Sequence, residues 1–169
     1  MFEDIQAASE HFETHVPYSD AAFLILKSHL VIELHLLEFI RSRVSEAVFK
    51  EVSVPSDGSF SVRLLLARAL ADRDEIPPQR QSMLWSALKH LGSLRNDVAH
   101  TLESKGSKVA DKMRAFIAKV DPECEFWNSK VGENELHREF RNAAFSLMSL
   151  LVIHRESFTL DDEMLNQNG

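Results

Sequence analysis

The stretch DAAFLILKSHLVIELHLLEFIRSRVSEAVF, residues 20–49, decides the fold. Its apolar residues recur at spacings of three and four rather than two, so the segment is a long helix and not a strand. Ser19 or Asp20 is placed to cap its start, and the pattern runs to about Phe49. Phe23, Leu24, Leu26, Leu30, Ile32, Leu34, Leu37, Phe39 and Ile40 predict an apolar face wide enough to meet neighbours on more than one side. Glu33, His35 and Glu38 interrupt LVIELHLLEFI, which excludes a membrane-spanning helix and points to a chain with no membrane partner.

The same period extends outward in both directions. An amphipathic segment from Phe2 to about Glu13 ends before Val16-Pro17. After the turn Val54-Pro55-Ser56-Asp57-Gly58, Ser59 is placed to cap a helix from Phe60 to about Ala71, with Val62, Leu65, Leu66, Ala69 and Leu70 inward. Pro77 and Pro78 suit the first turn of a helix running from about Gln79 to Leu102, because their missing amide protons cost little there. Lys105-Gly106-Ser107 breaks that pattern, Lys108 to Val120 forms the next helix, and Asn134 to about Phe158 forms the last. The expectation is an all-α, up-and-down bundle of five to six helices. It makes a single domain over residues 1–160, with a disordered tail at 161–169.

A chain of 169 residues can bury a core without a disulfide or structural metal, and its single cysteine, Cys124, cannot form an internal bridge. The opening MFEDIQAASEHFETH carries acids where an export signal would need a basic and then an apolar run, so the expected location is cytoplasmic. The formal net charge is −7, so any contact with nucleic acid has to be local. Residues 79–114 hold seven basic side chains against three acids, including Lys105, Lys108 and Lys112 just beyond the fourth helix. No Walker loop, dinucleotide fingerprint, nucleophile elbow or paired-cysteine zinc site is found, so neither a cofactor nor a metal is expected. His11 and His15 have helical chelating spacing but no third ligand in view, and His29 and His35 lie on different helix faces.

The segment that carries chemistry is Leu94-Arg95-Asn96-Asp97-Val98-Ala99-His100. Helical projection sets Arg95 among Leu84, Leu88, Leu91, Leu94 and Val98, inside the apolar stripe, where a guanidinium needs an interface or a carboxylate. Glu33, the mid-helix acid of LVIELHLL, is the candidate carboxylate, either to neutralise Arg95 or to orient it. Asn96 and His100, four apart, stack on one edge of that stripe. A planar cation that grips phosphate oxygens beside an imidazole that titrates near neutral pH can act on an RNA phosphodiester, using the substrate's own 2′-hydroxyl as nucleophile. A two-fold dimer with the fourth helix at or near its axis would supply two arginines and two histidines.

This segment resembles the signature of the HEPN domains, an arginine followed by a polar residue and then a histidine, seated near the end of a helix in a small all-α bundle. The resemblance implies a metal-independent endoribonuclease of toxin or phage-defence type, acting at a composite site in a homodimer and controlled by an antitoxin or regulatory protein. Arg95 would then contact phosphate, Asn96 would orient, and His100 would transfer the proton. Some toxin members carry a tyrosine two residues past the histidine; here Leu102 stands there, which puts control through that tyrosine in doubt. Gly58-Ser59-Phe60-Ser61-Val62-Arg63-Leu64 with the apolar run Leu66 to Leu70 is similar to a stretch of the mannitol operon repressor family. That second resemblance implies the alternative of a non-catalytic transcriptional regulator or protein-interaction module on the same scaffold.

Overall fold

In the computed structural model, residues 2–16, 20–44, 59–71, 77–100, 107–121 and 132–166 are described. They form six helices and, among the described residues, no strand: α1 (Phe2–His15), α2 (Ala21–Arg43), α3 (Phe60–Ala71), α4 (Pro78–His100), α5 (Ser107–Val120) and α6 (Glu133–Asn166). Asp20 caps α2, its carboxylate accepting the Phe23 amide at 3.0 Å. At the start of α3 the Ser59 carbonyl accepts the first helical bonds, from the Val62 and Arg63 amides, while the Ser59 hydroxyl bonds that of Ser61. α4 starts at Pro78 as its missing donor allows. Two ends depart from expectation. α2 closes at Arg43, with Val44 in extended backbone, short of Phe49; and α6 continues to Asn166 where a frayed tail is predicted from 161.

The helices run up and down around one core. α2 and α6 are its long axis and pack most extensively on each other; α5 lies on α4 and α6, α3 on α2 and α4, and α1 on α6 and α2. Phe12, Phe39, Phe116 and Phe140 are fully buried, with Phe116 and Phe140 at 4.9 Å between ring centroids and Phe39 edge-on to Trp85 at 6.1 Å. The buried Arg141 ties α1 down: its Nε donates to the Val16 carbonyl at 2.7 Å and its fork grips Glu13 at 3.1 and 2.5 Å. That hydrogen bonding holds the Glu13 carboxyl below its usual range. Among the described residues, no helix is long and apolar enough to cross a membrane.

The inward faces of α2 and α3 differ from expectation. On α3 the buried residues are Arg63, Ala67 and Ala71, whereas Val62, Leu65 and Ala69 face outward, Leu65 at 67% exposure. On α2, Leu24, Ile32, Phe39 and Ile40 are buried as predicted, but Phe23, Leu26, Leu30 and Leu34 form an exposed row. The row on α2 therefore leaves an apolar strip uncovered, a feature that marks interaction surfaces. The apolar stripe of α4, by contrast, is taken up by the core: Leu84, Leu88, Leu91, Leu94 and Val98 are all buried.

Gly92 sets how closely α3 meets α4. A Cβ at this position would lie 2.7 Å from Cδ1 and 2.9 Å from Cε1 of Phe60, so the absent side chain is what admits the ring. The Phe60 ring sits against His29 of α2 as well, at 4.4 Å between centroids. Alanine is the better helix former by about 1 kcal/mol, yet overpacking costs about 1–3 kcal/mol. Gly92→Ala is therefore expected to lower the midpoint of chemical unfolding, and Phe60→Leu in the same chain to restore part of it. An unchanged or raised midpoint in Gly92→Ala alone would refute the contact.

Candidate functional site

Three helices enclose a cavity of about 620 Å³. α2 contributes His29 and Glu33; the start of α3 contributes Ser59, Phe60, Ser61, Arg63 and Leu64; α4 contributes Lys89, Gly92, Ser93, Arg95 and Asn96. The periodicity of each helix accounts for these groupings, since His29 and Glu33 are one turn apart on α2 and Gly92 and Asn96 one turn apart on α4. Arg95, Asn96 and Glu33, three of the residues expected at the site, are thus brought to one cavity.

Their pairing is not the expected one. Glu33 is bonded by Nη1 of Arg63, and its other oxygen lies 3.7 Å from Nδ1 of His29. Arg95 is exposed rather than held in the apolar stripe, and donates to the Asn96 side-chain oxygen at 3.1 Å. The reason is local. Arg63, 7% exposed, reaches the carboxylate from the inner face of α3, while Arg95 lines the cavity with Gly92 and Asn96 and not with the buried leucines of α4. His100 is exposed at the last position of α4 and does not line the cavity. Lys108 is exposed at the start of α5; Lys112 is half-buried and ion-paired with Asp97, which ties α5 to α4; Lys105 lies outside the described residues.

His29 and Arg63 are site residues that sequence reading missed. Both had a signal. A lone mid-helix acid and an arginine within an apolar helix each need a counter-charge, and His29 stands four residues before Glu33 on the same face. Burial, and after it the nearby positive charge of Arg95, push the His29 imidazole down to about 4, so it is neutral at pH 7.

That depression links stability to pH. The unfolded chain takes a proton on this ring near pH 6.5 and the folded chain only near 4, so the stability present above pH 6.5 is lost as pH falls through that window. The loss is on the order of 3 kcal/mol across it. Urea unfolding at pH 7.5, 6 and 5 is expected to show this decline in the wild type and a shallower one in His29→Gln. The Glu13 carboxylate contributes below about pH 4.5, outside the range compared. Equal slopes in the two proteins would refute the assignment.

Among the described residues, no group of three or more His, Cys, Asp or Glu side chains is gathered as a metal site would require. The His11 and His15 rings are tilted to each other at 4.5 Å between centroids, and His35 of α2 lies edge-on to His11 at 6.1 Å. Fold and cavity together define a small all-helical domain with a cation-bearing polar cavity between three of its helices. Comparison of the chain with family models, curated proteins and solved structures finds no match.

Proposed function

We propose that this chain is a HEPN-like, metal-independent endoribonuclease acting as a homodimer. The observation that carries the reading is the state of Arg95: exposed at the mouth of a polar cavity beside Asn96, with no acidic partner among the described residues. A guanidinium in that position is available to phosphate oxygens. The 2′-hydroxyl of the substrate attacks the adjacent phosphorus and the bond from phosphorus to the 5′-oxygen breaks, leaving a 2′,3′-cyclic phosphate and a 5′-hydroxyl. The proton leaves the 2′-oxygen and a proton reaches the 5′-oxygen, a transfer suited to His100. Because His100 stands one turn beyond the cavity, a second copy is invoked to bring an imidazole to the phosphate. The exposed apolar row on α2 is the surface on which that copy would dock. Lys108 would guide the RNA backbone, together with Lys105; Lys112, engaged by Asp97, would contribute less.

The same exposed apolar strip favours a second reading, a regulator or interaction module of the kind the mannitol operon repressor resemblance implies, with an unlike protein on that surface. One assay separates the two. The purified chain is incubated with structured and unstructured RNA, with and without EDTA, and the product ends are mapped. Cleavage that persists in EDTA and leaves cyclic phosphate ends is the expected result. RNA left intact at high protein excess would end the nuclease reading, leaving the module.

A further inference from the structure

The cavity between α2, α3 and α4 holds more positive charge than its own carboxylate balances. Arg63 is engaged by Glu33, but Arg95 and Lys89 have no acidic partner among the described residues. In a chain of net charge −7 this is a local excess of two cations in one concavity. Its other polar members are hydroxyls, Ser59, Ser61 and Ser93, and the amino end of the twelve-residue α3 opens there, adding the positive pole of a helix.

His29 lines the cavity at 5% exposure, and its buried Nε2 has no hydrogen-bond partner. The volume, about 620 Å³, lies within the range of small-ligand sites, and Phe60 and Leu64 give it an apolar wall.

We propose that this cavity binds a phosphate monoester as its dianion, with Arg95 and Lys89 supplying the two balancing charges, the serine hydroxyls supplying hydrogen bonds, and Phe60 with Leu64 meeting the organic part, while the His29 ring in the cavity lining senses the occupant. The monoester comes either from the phosphorylated end of an RNA strand or from a free phosphorylated small molecule. A carboxylate or a phosphodiester brings a single charge and leaves one of the two cations uncompensated. The proposal shares Arg95 with the nuclease reading but requires no cleavage.

Calorimetric titration of the full chain with ribose 5-phosphate and with inorganic phosphate tests it, with ribose as control, while the ring resonances of His29 are followed by NMR. The expected result is saturable binding of both phosphates and not of ribose, with the His29 signals shifting. Lys89→Met should weaken binding about tenfold and Lys89→Arg should restore most of it, a change of one decade corresponding to about 1.4 kcal/mol. Lys89 is exposed, so neither variant threatens the fold. Short RNAs with a 5′-phosphate or a 5′-hydroxyl then separate the sources. A phosphorylated strand that binds more tightly than ribose 5-phosphate assigns the site to RNA ends; equal or weaker binding assigns it to a free phosphate ester. Absence of saturable binding at millimolar phosphate, or binding indifferent to Lys89→Met with His29 signals unmoved, would overturn the proposal. A chain that binds monoester but leaves RNA intact would refute the nuclease reading alone, and one that cuts RNA without monoester affinity would refute this inference alone.

Discussion

On the proposed nuclease reading, replacing His100 with alanine is expected to slow RNA cleavage by roughly 10²–10⁴-fold, the range that positioned acid–base catalysis contributes, while the unfolding transition stays in place. The structure supports the second half of that expectation. His100 is exposed at the end of α4, where a basic side chain interacts with the helix dipole for about 1 kcal/mol at most. Arg95→Ala should reduce cleavage comparably and also leave the fold intact, because among the described residues its side chain bonds only the neighbouring Asn96, on an exposed face. Arg95→Lys separates charge from shape: a lysine keeps the charge and loses the planar fork, so a variant that binds RNA but cuts it poorly would identify the fork as the acting element. Single-turnover cleavage beside urea unfolding measures both quantities. Wild-type rates in His100→Ala would remove that residue from the reaction; a collapsed unfolding transition in either alanine variant would show that the side chain is structural.

Arg63→Ala is expected to cost about 2–4 kcal/mol of stability, somewhat less than the 3–5 kcal/mol typical of breaking a fully buried pair, since the Glu33 side chain is 20% exposed and water can reach part of it. The loss comes mainly from stranding a carboxylate beside a buried imidazole, not from the worth of the ion pair itself. Consequently Glu33→Gln in the Arg63→Ala chain should recover much of the loss, and a double-mutant cycle by chemical unfolding should report strong coupling. A single-variant loss under about 1 kcal/mol, near the figure for a surface pair, or additive effects in the cycle, would contradict the burial of this pair. Because Glu33 and Arg63 both line the cavity, the same variants should alter the His29 ring resonances, connecting the stability of α2 and α3 to the site they enclose.

Much of this molecule was legible without coordinates. Helical period identified all six helices, Asp20 capped α2 as its chemistry allows, Pro78 opened α4, and the inward stripe of α4 holds Leu84, Leu88 and Leu91 as its spacing requires. These features are local: backbone hydrogen bonding repeats every 3.6 residues, and a helix with one clear apolar stripe has one way to face inward. The joining of Arg95, Asn96 and Glu33 in one cavity was half legible, because their residue types suggested the chemistry while the distances between helices did not follow from it.

What the chain alone left open was decided where a helix is apolar nearly all the way round. α2 and α3 offer several plausible inner faces, and packing chose the ones with Ala67 and Ala71, leaving Leu30 and Leu65 outside. That choice turned Arg63 rather than Arg95 toward Glu33, exposed Arg95 to the cavity, and buried His29 against Phe60 where the missing side chain of Gly92 makes room. Period determines that a helix forms and how its side chains are spaced around it; which neighbour each face meets depends on close packing among segments far apart in sequence, and only the tertiary structure decides it.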